Sequence, residues 1–244
     1  MIVVDINCDV GEGIGNEAAL MPHISSCNIA CGGHAGTVDS IDTTIQLAQQ
    51  YAVKIGAHPS FPDTANFGRK TLEMSPDALQ KSIEKQLNLM CERLAVLGAE
   101  LYHVKAHGAL YNLSAMDEAT ATALVKAIKN TTPDVFLYVP YNSVIESVAL
   151  EQQVPVIYEA FADRNYNDDL SLVARSKENA LISDESAVFT HVHNMIVHQK
   201  VTTISGLEVA IKASTFCVHG DHSNAVELVE SLVKSLENHN INVR

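Results

Sequence analysis

Basic residues are scarce in this chain of 244 residues: 16 Lys and Arg stand against 29 Asp and Glu, a formal net charge of −13. Such an acidic surface repels nucleic acid and anionic membrane, which argues against a general nucleic-acid binder. Any anionic substrate must then be met by locally concentrated Lys or Arg. Long apolar runs are missing as well. Each one is short and broken by charge, so no segment reads as membrane-spanning. The opening MIVVDINCDVGEG has no basic stretch followed by an apolar one, and no signal peptide is expected. Cysteine is sparse: residues 8, 27, 31, 91 and 217 make an odd number without a dense framework. That fits reduced thiols and a cytoplasmic location. Internal repeats, linkers and low-complexity tracts are not found.

What the chain does have is a globular composition, 47% hydrophobic and 18% charged, at a length that suits one α/β domain over residues 1–244. Short β-rich runs are expected at 2–6, 27–31, 53–57, 101–105, 135–139, 155–159 and 215–218. Between them lie helical spacings at 39–51 behind an Asp cap, 75–97, 117–129, 142–151, 183–198 and 223–239, with a short helix near 206–212. The segment 75–97 opens with Ser75-Pro76-Asp77 and closes at Gly98, which are start and stop signals. Residues 159–182 show no clear element and read as a long ordered loop or lid.

Strand followed by helix, about seven times, means parallel strands joined by crossover helices. Nearly every expected strand ends in ionisable residues or glycine. An open sheet would spread those clusters along about 25 Å of edge, at roughly 4.8 Å per strand. A closed or distorted barrel gathers all of them at one mouth. The barrel is therefore the expected architecture.

The densest cluster is Asp5-Ile-Asn7-Cys-Asp9-Val-Gly-Glu12. Asp5 and Asn7 share one side of a strand by its period of two, and Asp9 and Glu12 follow in the exit loop. Polar residues inside an apolar strand are costly, so a catalytic or cation-binding role is expected for Asp5, Asn7 and Asp9. His34 follows two glycines at the end of the second strand. A structural zinc on Cys27, Cys31 and His34 is disfavoured, because no second Cys pair follows nearby. His58 ends the third strand and is followed by prolines 59 and 62, and Arg69 lies in the basic pair that comes after. His103, Lys105 and His107 share a strand face. His103 reads as a satisfied core histidine, Lys105 as an anchor for carboxylate or phosphate, and His107 as a site residue. Arg164 follows Asp163 at the start of the long loop, where an internal ion pair competes with substrate binding. His219 and Asp221 flank a glycine and could form a His–carboxylate dyad. His191, His193 and His198 lie on a helix, where the first two point about 200° apart, and all three read as exposed. Gly11-x-Gly13-x-Gly15 misses the dinucleotide fingerprint at its third glycine.

Taken in order, DINCDVGEG, SSCNIACGGHAG, GAHPSFPD with NFGRK, HVKAHGALYN, FADRNY, LISDE and FCVHGD resemble the LamB/YcsF family, the A subunits of bacterial 5-oxoprolinase. The resemblance runs essentially end to end. It implies a distorted (β/α)7 TIM-like barrel of the glycoside hydrolase/deacetylase kind. It also implies ATP-dependent opening of the 5-oxoproline ring to L-glutamate, in a complex with subunits B and C. The chain departs from the family's usual pattern at Gly33, at Thr37-Val38, at Ala106, and at Asp169, Ala174 and Asn179. None of these removes a proposed acid, His or Lys.

On that resemblance, Lys105 and Arg164 would anchor a carboxylate or phosphate, with Arg69, His34 and Asp221 nearby. Asp5, Asp9 or His107 would act as base for water, and His58 or His219 would be the acid for the departing nitrogen. ATP would bring Mg2+ or another divalent cation. Two rivals stand beside this. One is a lone metal-dependent amidase or deacetylase with Asp5, His34 and His58 as ligands; the other is a non-catalytic substrate-binding subunit.

Overall fold

The computed structural model describes residues 2–221 and 224–244. Its strands in chain order are β1 (Ile2–Val10), β2 (Ser26–Ala30), β3 (Lys54–His58), β4 (His103–Val104), β5 (Phe136–Pro140), β6 (Val156–Phe161), β7 (Lys200–Thr202), β8 (Glu208–Ala210), β9 (Thr215–Val218) and β10 (Ile241–Val243). Seven of them form a parallel sheet in the order β1-β2-β3-β4-β5-β6-β9, and β9 pairs back onto β1. The sheet is therefore closed: a seven-stranded, TIM-like α/β barrel. β1 pairs with β10 over Ile2–Val4 and with β9 from Asp5 onward. The remaining pair, β7 and β8, is an antiparallel hairpin outside the barrel.

The helices are α1 (Glu17–Leu20), α2 (Val38–Gln50), α3 (Pro76–Leu97), α4 (Gly108–Ser114), α5 (Glu118–Thr131), α6 (Val144–Glu151), α7 (Glu185–His198) and α8 (Ala225–Asn238). Local chemistry sets their ends. Ser75 accepts from the Ala78 amide, Pro76 opens the first turn, and Gly98 closes α3 in the left-handed region at φ 65°. Asp117 and Asp184 cap α5 and α7 in the same way. At α2 the cap is Thr37, in a reciprocal box with Ser40, and not Asp39. The longer helices bury an apolar stripe; on α8 it is Ala225, Leu228, Val229, Leu232 and Leu236. Full burial of each such Leu stabilises the fold by about 1.5–3 kcal/mol.

Two local expectations are corrected. Residues 206–212 form no helix: Gly206 turns the chain at φ 87°, and Val209 on β8 pairs with Val201 on β7. A three-residue strand is too short to show its period of two. His191 and His193 are not exposed but half-buried, the His191 ring stacked on Tyr166 at 6.0 Å, while His198 is exposed as expected. The expected helix start at Ser223 lies outside the described residues. No helix among the described residues is long and apolar enough to cross a membrane.

The barrel interior is polar. Asn7 donates to Glu159 on β6, 3.0 Å away, and β6 is not a neighbour of β1. The side of β1 that carries Asp5, Asn7 and Asp9 therefore faces the axis. Inside, Asn28 donates to Asn7 and Asp9, and His103 donates to Asn28 at 2.6 Å while stacking on Tyr138 at 3.8 Å. His103 is the core histidine that its place in the strand suggests, bonded through Nε2, while its buried Nδ1 has no partner among the described residues. Buried polar groups are tolerated there because they bond to one another.

Candidate active site

The seven barrel strands end at the same mouth, and their ionisable ends converge on it. A cavity of about 290 Å³ is lined by Asp9 and Glu12 from the β1 exit, His58 from β3, Lys105 and His107 after β4, Arg164 after β6, and His219 and Asp221 after β9. The loop between β6 and α7 lies over it and contributes Leu172, Ala174 and Arg175. An adjoining cavity of about 490 Å³ shares Arg69, Tyr111, Phe161 and Leu172.

The histidines are held by backbone. His58 Nδ1 donates to the Lys105 carbonyl at 2.8 Å, and His107 Nε2 to the Phe67 carbonyl at 2.9 Å. This leaves His58 Nε2 and His107 Nδ1 facing each other at 3.0 Å. Asp9 Oδ2 lies 3.3 Å from the first, and Glu12 Oε1 lies 3.3 Å from the second. His34 donates through Nε2 to Glu12 Oε1 at 2.9 Å and stacks flat on His107 at 3.6 Å. Gly68, at φ 61°, packs against both residues; a Cβ there would sit 2.9 Å from the His107 ring and 2.9 Å from the His34 Cβ.

Charge is arranged as deliberately. Lys105 Nζ is 2.9 Å from Glu159, 3.1 Å from Asp9, 3.0 Å from Cys217 and 3.3 Å from Asn7. Burial disfavours its charge, but Asp9, Cys217 and Glu159 outweigh burial and hold the ammonium well above its ordinary pKa. Burial likewise opposes ionisation of Asp9, yet His58 and Lys105 together keep that carboxyl well below its usual range. Burial, with Asp9 close by, raises Glu12 to about 7. Burial and the neighbouring His58 lower His34 to about 3 and His107 to about 2, so both rings are neutral at physiological pH.

The remaining assignments divide. Asp9, His58, His107 and His219 come together at the mouth, as their strand positions suggested. His219 Nδ1 lies 3.0 Å from both oxygens of Asp163, so its carboxylate partner is Asp163 and not Asp221. The reason is topological: β6 pairs with β9, which sets Asp163 beside His219. Asp221 instead meets Arg69 and Arg175. Arg164 donates to the Val173 and Ala180 carbonyls and so ties down the long loop while lining the cavity.

Asp5 is misplaced by the expectation. It bonds Ser25 and Ser26 at the start of β2 and Lys54 at the start of β3, so it lies at the opposite end of the barrel from the mouth. It therefore does not join His34 and His58 as a ligand set. The donors that converge are Asp9, Glu12, His58 and His107. Asn7 is an interior linker that bonds Glu159, Thr215 and Asn28. Sequence reasoning reads Glu12 only as part of the acidic cluster after β1, and it misses the roles of Asn28, Glu159 and Arg175. A polar residue inside an apolar run, the signal used for Asn7, would have found Asn28 and Glu159.

The LamB/YcsF family model matches residues 4–244. The chain belongs to the LamB/YcsF family. It is 40% identical to a protein of Clostridium beijerinckii named as the A subunit of 5-oxoprolinase, over 100% of this chain and 97% of that one. The crystal structure of a lactam utilization protein from Thermus thermophilus overlays with a TM-score of 0.94 at 34% identity, covering 100% and 99% of the two chains. A phospho-2-dehydro-3-deoxyheptonate aldolase from Thermotoga maritima overlays at 0.51 with 9% identity, covering 99% of this chain and 71% of its own, which shows a shared barrel and nothing more.

Proposed function

We propose that the chain is the A subunit of an ATP-dependent 5-oxoprolinase, which opens the lactam ring of 5-oxo-L-proline to L-glutamate as ATP becomes ADP and phosphate. The observation that carries this is the convergence of three imidazoles, ionised Asp9 and three arginines on one small cavity, in a chain similar end to end to proteins of that name. A cytoplasmic location belongs to the same reading.

A lactam is an amide with a resonance-stabilised carbonyl and a poor leaving group. Phosphorylation of its oxygen makes attack by water easy, and that accounts for ATP. Arg69, Arg164 and Arg175 surround the place where an anionic substrate group would sit. His58 and His107 line the cavity with their rings fixed by main-chain carbonyls, placed to position the attacking water directly or through a bound ion. His219, oriented by Asp163, is placed to give a proton to the departing nitrogen. The sequence carries no P-loop, so the nucleotide contacts and the completion of the reaction are assigned to the assembly with subunits B and C.

The test is glutamate release from 5-oxoproline, with and without ATP, by the isolated chain and by the chain combined with its neighbouring-gene products. The expected result is no release by the chain alone and ATP-dependent release by the assembly. Robust turnover by the isolated chain would defeat the reading, and ATP-independent turnover would establish a lone amidase instead.

A further inference from the structure

We propose that Asp9, Glu12, His58 and His107 form a binding site for one divalent transition-metal ion, of the Zn2+ or Mn2+ class. The argument begins with the tautomers. Each imidazole has one N–H when neutral, and each gives it to a main-chain carbonyl: His58 to Lys105 and His107 to Phe67. The two nitrogens left over, 3.0 Å apart, then both carry lone pairs. Two carboxylate oxygens close the same group. Four lone pairs turned on one another repel unless a cation lies among them. A single shared proton would relieve only one of these contacts.

The spacing fits an ion. Bonds of about 2.0–2.1 Å in a tetrahedral arrangement place neighbouring donors about 3.3 Å apart. Here the separations are 3.0 Å between the nitrogens, 3.3 Å from His58 to Asp9, 3.3 Å from His107 to Glu12 and 4.0 Å from His58 to Glu12. All four donor atoms lie within 4.8 Å of one another. The outer shell is also built. Backbone carbonyls fix both rings, His34 donates to Glu12 Oε1, and Lys105 and Asn28 occupy Asp9 Oδ1, so that Oδ2 is left for the ion. Two imidazoles beside two carboxylates suit zinc, manganese or ferrous iron, whereas Mg2+ prefers oxygen donors and retained water. The set therefore does not match the Mg2+ expected to accompany a nucleotide. Asp9, Glu12, His58 and His107 all line the cavity, so on the functional reading above the ion would polarise the lactam oxygen or activate a bound water. The site itself stands apart from that reading.

The experiment strips the full-length chain with chelator and titrates it calorimetrically with ZnCl2, MnCl2 and MgCl2, with metal content measured after dialysis. One Zn2+ per chain is expected, with affinity at least 100-fold weaker in His58→Ala and His107→Ala, and unchanged in His193→Gln/His239→Gln, which removes a ring pair on another face. His34→Phe is expected to lose about 10- to 100-fold, as outer-shell partners do. Circular dichroism checks folding. Should an alanine variant unfold, the near-isosteric Asp9→Asn and Glu12→Gln give the same readout. Binding of less than a tenth of an equivalent by the wild type, or undiminished binding by the folded variants, overturns the site. Zinc binding without glutamate release by the assembly retires the functional reading and keeps the site; the reverse outcome retires the site alone.

Discussion

Lys105 is buried and Asp5 half-buried on the inner face of the barrel, and their surroundings assign them different work. Asp5 accepts from the hydroxyls of Ser25, Ser26, Thr215 and Tyr138, with Lys54 at 3.4 Å. Asp5→Asn turns an amide NH2 against hydroxyl donors. The expected cost is about 1–3 kcal/mol of stability in urea unfolding, with turnover of the assembly within tenfold of wild type. A dead but fully stable variant would return Asp5 to the catalytic group. Lys105→Ala strands Asp9 and Glu159 without their cation, a loss of about 3–5 kcal/mol, and it also removes the charge that keeps Asp9 ionised. Arg69 pairs with Asp221 at an exposed rim, where ion pairs contribute about 0–1 kcal/mol. Lys105→Ala is therefore expected to lower both melting temperature and turnover far more than Arg69→Ala; equal losses would contradict this.

At the scale of elements, the loop between β6 and α7 is the piece most open to test. It is long, and inside it the backbone bridges at Arg164 with Leu181 and Tyr166 with Leu172 are isolated. Arg164 holds it through two carbonyls while it covers the cavity. Arg164→Ala is expected to speed hydrogen exchange at 164–182 by tenfold or more, with exchange in the barrel strands unchanged. Exchange that rises equally in β1 and β2 would mean the arginine supports the whole barrel. The loop carrying Gly68 behaves oppositely. Alanine at this left-handed position meets His34 and His107, so Gly68→Ala is expected to destabilise by about 1–3 kcal/mol and to weaken zinc binding together with activity. Unchanged zinc affinity would show that the rings are held without this lid.

Across the whole molecule, the core leaves its thiols inert. Burial raises Cys8 and Cys217 well above the ordinary thiol range and pushes Cys27 and Cys31 up to about 12; Cys91, half-buried on α3, is raised by burial as well. A thiol reacts as its thiolate, whose fraction rises only as pH approaches the pKa. At pH 8 a disulfide reagent is expected to titrate at most one thiol in the native protein, Cys91, and five after guanidinium unfolding. Two or more fast native thiols would mean the barrel breathes.

What the sequence determined by itself was mostly local. Alternating short β-rich and long amphipathic segments, with Ser75, Asp117 and Gly98 at helix ends, specify parallel strands with crossover helices. The ionisable strand ends at His58, Lys105, His107 and His219 specify a mouth. These features are legible because caps, periodicity and strand termini depend on neighbours in the chain. The tertiary structure decided what depends on closure. Whether Asp5 or Asp9 reaches the mouth is a matter of depth along β1, and period two puts both on the same face without saying how deep each sits. The partner of His219 follows from β6 lying beside β9, 56 residues apart in sequence at Asp163. The meeting of Glu12 with His107, from the exits of two strands that are not neighbours, exists only because seven strands close around one axis.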